Sequence, residues 1–112
     1  MIRFTFNTEL NYCRACNKKF QFPDVCDDWK CPVCSKALLL KVDINGRYHS
    51  CLICKPQELK TGDQVSLDTH FIHEILKIEE SNGLFKIALK EYTTVRREAN
   101  DQIALVTGSW YD

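Results

Sequence analysis

Three Cys-x-x-Cys pairs fall within the first 54 residues, Cys13/Cys16, Cys31/Cys34 and Cys51/Cys54, separated by gaps of fourteen and sixteen residues. A Cys-x-x-Cys turn points both sulfurs to one side, so two such turns can place four thiolates around one ion. Four sulfurs in a tetrahedron suit zinc or iron better than harder metals. Cys13, Cys16, Cys31 and Cys34 are the first-choice ligands. The requirement is physical, because neither half of a 112-residue chain buries enough apolar surface to be comfortably stable alone. A structural zinc contributes roughly 10–16 kcal/mol of apparent binding energy to a small domain.

The opening residues, MIRFTFNTEL, contain no apolar run long enough for a secretory signal, and no later stretch approaches a membrane span. The expectation is a soluble cytoplasmic protein, in which cysteine pairs serve as metal ligands or redox thiols rather than structural disulfides. The odd seventh cysteine, Cys26, points the same way. The formal net charge is zero but unevenly spread. Residues 1–56 hold nine Lys/Arg against five Asp/Glu, and residues 57–112 hold six against ten. That is far from the dense basic footprint of a dedicated DNA binder.

Ile2–Phe6 and Lys18–Phe22 read as short strands around the first knuckle. Ala37–Ile44 and Arg47–Ile53 read as a hairpin on the turn Asn45-Gly46. If Ile44 pairs with Arg47, Val42 faces His49 and Leu40 faces Cys51. The polar stretch KPQELKTGD at 55–63 marks a boundary between a Cys-rich domain, 1–56, and a small β-rich domain, 57–112. Beyond it, strands are expected at Gln64–Leu67, Phe71–Glu79, Leu84–Tyr92, Thr93–Arg97 and Ile103–Thr107, with Asn82-Gly83 as a second hairpin turn. Asp68–Glu80 also fits an amphipathic helix with Phe71, Ile72, Ile75 and Leu76 on one stripe. The strand is preferred because the segment leads straight into that turn.

The run DDWKCPVC at 27–34, with Tyr12 before the first knuckle, resembles the rubredoxin-like and zinc-ribbon group over residues 10–36. The resemblance implies a metal ribbon. Rubredoxin knuckles usually carry glycine after the second cysteine, where this chain has Asn17 and Ser35, and the longer rubredoxin loop is missing. Those departures favour zinc over an iron centre tuned for electron transfer. The back half, from Leu59-Lys60-Thr61-Gly62-Asp63, is loosely similar to small SH3-like barrels. The expected fold is thus mainly β: a rubredoxin-like zinc ribbon with β-hairpins, then a small SH3-like β-barrel.

Cys51 and Cys54 remain open. They could replace the first knuckle, partner it, or join His49, Cys26, or His70 and His73 in a second site. Histidines three apart on a strand point to opposite faces, which argues against that last pair. Cys51 could equally be a small buried hydrophobe. A thioredoxin-like role lacks the helix N-terminus it needs. No glycine-rich phosphate loop, converging carboxylates or nucleophile signature is present, so no enzyme is indicated. Basic and aromatic residues interleave in the front half. Phe4, Phe6, Phe20 and Trp29 read first as core, while Arg14, Lys18 and Lys19 read as exposed cations for a partner. Tyr92 with Arg96 and Arg97, and Trp110-Tyr111, are further aromatic-cationic candidates. The expected role is a zinc-binding, non-catalytic adaptor or regulator that engages a protein or nucleic acid. The alternative is a rubredoxin-like iron protein in electron transfer.

Overall fold

The computed structural model describes residues 10–20, 29–67 and 71–110. The strand expected at Ile2–Phe6, and Cys26 and His70, lie outside them. Nine strands follow in chain order: β1 Leu10–Cys13, β2 Lys18–Phe20, β3 Leu39–Ile44, β4 Arg47–Cys54, β5 Gln64–Ser66, β6 His73–Ser81, β7 Leu84–Leu89, β8 Thr94–Glu98 and β9 Ile103–Ser109. A 3-10 turn, Pro56–Glu58, follows β4. Among the described residues no helix is long and apolar enough to cross a membrane.

The strands form one antiparallel sheet in the order β2-β1-β3-β4-β9-β5-β6-β7-β8. Its described edges are β2 and β8, so the sheet is open. The strands expected after residue 57 are present, but no closed barrel is formed by the described residues. The sheet also runs across residue 56, because β4 pairs with β9 from Cys54↔Ile103 to His49↔Ser109.

Both hairpins follow from their turn residues. Asn45 and Gly46 have φ of 51° and 86°, and Asn82 and Gly83 have φ of 52° and 79°. Two consecutive positive values match the right-handed twist of the flanking strands. The first turn fixes Ile44↔Arg47, Val42↔His49 and Leu40↔Cys51, the register that the sequence implied. Asp68–Glu80 does not form the alternative helix; residues 73–81 are strand. Adjacent residues diverge as in a strand: Ile75 is fully buried, whereas Leu76 is 49% exposed.

The core divides into two clusters, and β4 and β9 serve both. Cys51, Ala104 and Val106 join Leu38, Leu40, Val42, Ile44 and Trp29 in the first, with Ile53 packed against it. Cys54 and Ile103 join Leu59, Val65, Ile75, Ile87 and Leu89 in the second, with Leu52 and Leu105 packed against it. Successive strand side chains point to opposite faces. The central strands are therefore covered on one face by the first cluster and on the other by the second.

Candidate metal centre

The first knuckle leaves the end of β1, and the second sits between an isolated bridge, Lys30↔Ala37, and the core. Backbone bonds close the second turn: Ser35 N–H donates to Cys31 O (2.9 Å) and Cys31 N–H donates to Lys36 O (2.8 Å). Asn17 and Ser35 occupy the same place in their respective knuckles, directly after the second cysteine. Both are left-handed, with φ of 53° and 64°. The backbone conformation that glycine serves in rubredoxins is therefore adopted here by other residues. Asn17 gains a compensating contact, as its Oδ1 accepts the Tyr12 hydroxyl at 2.6 Å.

The Sγ atoms of Cys13, Cys16, Cys31 and Cys34 all lie within 4.8 Å of one another. Across the knuckles, Cys13 Sγ is 3.5 Å from Cys34 Sγ and Cys31 Sγ is 3.9 Å from Cys16 Sγ. A tetrahedron with metal–sulfur bonds of ~2.3 Å has sulfur–sulfur edges of about 3.8 Å. The residues fit a tetrahedral thiolate site. Cys16 N–H donates to Cys13 Sγ and Val33 N–H donates to Cys31 Sγ, each at 3.4 Å. Such bonds favour sulfur in its charged form. All six described cysteines are free thiols.

The protonation pattern fits a site that could hold a cation. The Cys16 thiol is pushed up to about 12, first by its hydrogen bond with Cys34, then by burial and by Cys13 and Cys31. For Cys31, burial acts upward, but backbone N–H groups of Cys34 and Val33 and the other thiols outweigh it and bring the group down to about 7. Four thiols this close share their protons unequally because they cannot all ionise together. A bound dication removes that conflict and displaces the protons.

Cys51 and Cys54 are not members of this group: Cys51 lies in the first core, which also holds Cys13 and Cys31, and Cys54 lies in the second. Burial pushes the Cys51 thiol up to about 12. Burial, with the nearby charges of Glu58 and Asp63, pushes Cys54 up to about 11. Each is a buried, protonated side chain, and three residues of strand separate them onto opposite faces. His73 does not turn towards a thiol: its Nδ1 lies 3.2 Å from Lys90 O, and its ring stacks on Tyr92 at 4.7 Å.

Trp29 is buried, and its Nε1–H donates to Gln102 Oε1 at 3.3 Å, tying the approach to the second knuckle to the start of β9. Phe20 packs against the first core, whereas Phe4 and Phe6 lie outside the described residues. Arg14, Lys18 and Lys19 are all exposed. They do not share one face. Lys19 pairs with Tyr12, and Lys18 with the buried Cys13, so the two lysines point to opposite sides of the sheet.

Beside the first knuckle, the sheet face opposite the first core holds two adjoining depressions. One, of about 410 Å³, has Arg14, Lys36, Leu39, Leu52 and Thr107 in its walls. The other, of about 250 Å³, is walled by Tyr12, Arg14, Leu39, Ser50, Ser109 and Trp110. Arg14 and Leu39 belong to both, which makes one continuous groove. Lys36 was not singled out from the sequence. Its signal is its place two residues beyond Cys34, where the chain leaves the second knuckle. Thr107 enters through a β-bulge: Ser50 pairs with Gly108 and Cys51 with Val106, leaving Thr107 unpaired. Its hydroxyl donates to Ser50 O at 3.0 Å.

Compared with models of protein families, with curated proteins and with solved structures, the chain matches none.

Proposed function

We propose that this chain is a non-catalytic adaptor whose four-cysteine zinc site holds a surface in shape for an anionic macromolecular partner. The observation that carries the reading is the convergence of Cys13, Cys16, Cys31 and Cys34 within 4.8 Å. Zinc suits the site because it needs only four tetrahedral thiolates and no redox tuning. A closed site with four protein ligands leaves no open position for a catalytic water. Arg14 sits inside the first knuckle, between two ligands, so the ion fixes the backbone that carries it. On β2, Lys19 follows on the face of Tyr12 and Lys18 on the other, so a partner that engages all three reaches round the sheet edge.

The reading places the protein in a reducing compartment such as the cytoplasm, where the thiols stay available to metal. The strands after residue 57 support the presenting surface through the sheet they share with β4. Metal quantification of aerobically purified protein tests the centre directly. One zinc per chain and no visible absorption agree with it. Red protein with charge-transfer bands would instead make this an iron protein and favour electron transfer. Retention on heparin tests the surface. Arg14→Ala/Lys18→Ala/Lys19→Ala should elute at distinctly lower salt with its metal content unchanged, and unaltered elution would remove those residues from the role.

A further inference from the structure

We infer that the groove on the sheet face opposite the first core binds single-stranded nucleic acid, with bases against Tyr12 and Trp110 and phosphates on Arg14 and Lys36. This inference rests on the adaptor reading above and names its partner and the face that meets it. Arg14 comes from the first knuckle and Lys36 from just beyond the second, and both are exposed. Among the described residues, neither depression has a carboxylate in its walls. The charged side chains in the walls are Arg14 and Lys36, both cationic, with the metal ligand Cys13 also in the wall of the first depression. A low-dielectric floor, here Leu39 and Leu52, strengthens the attraction for an anion.

The aromatic side chains decide which anionic polymer fits. Tyr12 pairs with Lys19 on one side and Leu39 on the other, which places a ring between a cation and the apolar floor. Trp110 N–H donates to Tyr48 O at 3.1 Å, continuing β9 beside β4. Tyr48 itself is 41% exposed and carries Lys41 Nζ at 4.4 Å over its ring. In the alternation of β3 and β4, Lys41 and Tyr48 fall on the same face as Leu39. Rings and cations share this sheet face with one carboxylate, Asp43 opposite Tyr48, and rings beside cations are the arrangement that stacks bases while tracking a backbone. An acidic peptide offers the charge but nothing to stack. A duplex keeps its base faces inside the helix.

The metal centre enters because it sets the spacing of the two cations. Arg14 and Lys36 belong to knuckles joined by sulfur contacts of 3.5 and 3.9 Å. Binding should therefore require the loaded centre even though no nucleotide touches it.

The test titrates the full, metal-loaded chain with a single strand of about twelve thymidines, a duplex of the same length and polyglutamate. Trp110 emission and salt dependence are the readouts. The single strand should quench Trp110 and bind at least tenfold tighter than either competitor. Trp110→Leu should weaken it roughly tenfold, through the loss of one stacked base. Arg14→Ala/Lys36→Ala should reduce the slope of log K against log salt by about 1.4, at about 0.7 per phosphate lost. Unchanged metal content shows that each variant is folded, and Phe71→Ser, at an exposed residue outside both groove walls, should change nothing. Equal binding of polyglutamate or duplex, or binding without Trp110 quenching, overturns the inference. Heparin retention lost on Arg14→Ala/Lys18→Ala/Lys19→Ala alongside a failure to bind the single strand would sink this inference alone and leave the adaptor reading standing.

Discussion

Asn17 and Ser35 hold the same left-handed conformation at equivalent places, but they do so on different terms. Left-handed backbone costs a non-glycine residue roughly 1–2 kcal/mol, less for asparagine. Asn17 also accepts a hydrogen bond from Tyr12 that glycine could not replace. Ser35 has φ of 64° with no such contact described for its side chain. Ser35→Gly should therefore stabilise the loaded protein by about 1 kcal/mol. Asn17→Gly should be neutral or slightly destabilising. Urea midpoints for the two variants check both signs.

The same scale decides an alkaline limit. The folded pKa values of Cys51 and Cys54, about 12 and about 11, stand above their ordinary value of 9.0. Between 9 and those values the native state binds more protons than the unfolded state, so stability falls as pH rises. The contribution is whole below pH 9 and is lost from there towards 11 and 12. Cys51→Ala should have a shallower decline of urea midpoint between pH 9 and 11 than the parent protein. Identical slopes would show that Cys51 ionisation plays no part.

At the scale of elements, the two Asn-Gly turns carry more information than their length suggests. A two-residue turn with both φ values positive leaves its strands no freedom of register, and one step of slip would turn every apolar side chain outward. That is why Leu40, Val42 and Ile44 could be set opposite Cys51, His49 and Arg47 from the sequence. Gly46 offers a clean check, since a Cβ built there meets nothing within 4 Å. The cost of Gly46→Val is then conformational alone, about 1–2 kcal/mol, and thermal unfolding should show it as a lowered midpoint with metal content intact. The helix alternative for Asp68–Glu80 illustrates the opposite case. Its apolar residues satisfied two periods at once, and only pairing with β7, from Ser81↔Leu84 to Ile75↔Leu89, separated them.

For the whole molecule, the two clusters should respond unequally to an ion bound by the four cysteines. Cys13 and Cys31 are buried members of the first core, whereas the second contains no member of the four-cysteine group. Chelation should release β1, β2 and the knuckles while β5, β6 and β7 keep their packing. Hydrogen exchange after metal removal should show early loss of protection at Asn11–Phe20 and retained protection at Ile75 and Ile87. Uniform loss would show that β4 and β9 couple the two cores into one cooperative unit.

The cysteine spacing, the two turn dipeptides and the alternation of Phe85, Ile87 and Leu89 act over a few residues, and local geometry alone converts them into structure. They determined a β-rich chain, two hairpin turns, the register of the first hairpin and the four sulfurs able to meet. The pairing of β4 with β9 joins residues about fifty positions apart, and no local rule selects that partner over any other apolar strand. Only the assembled sheet decided it. With it came the placement of Cys51 in one core and Cys54 in the other, and the meeting of Arg14, Lys36 and Trp110 around one groove. Those outcomes depend on which face each strand turns to its neighbours, a property that does not exist until the strands lie side by side.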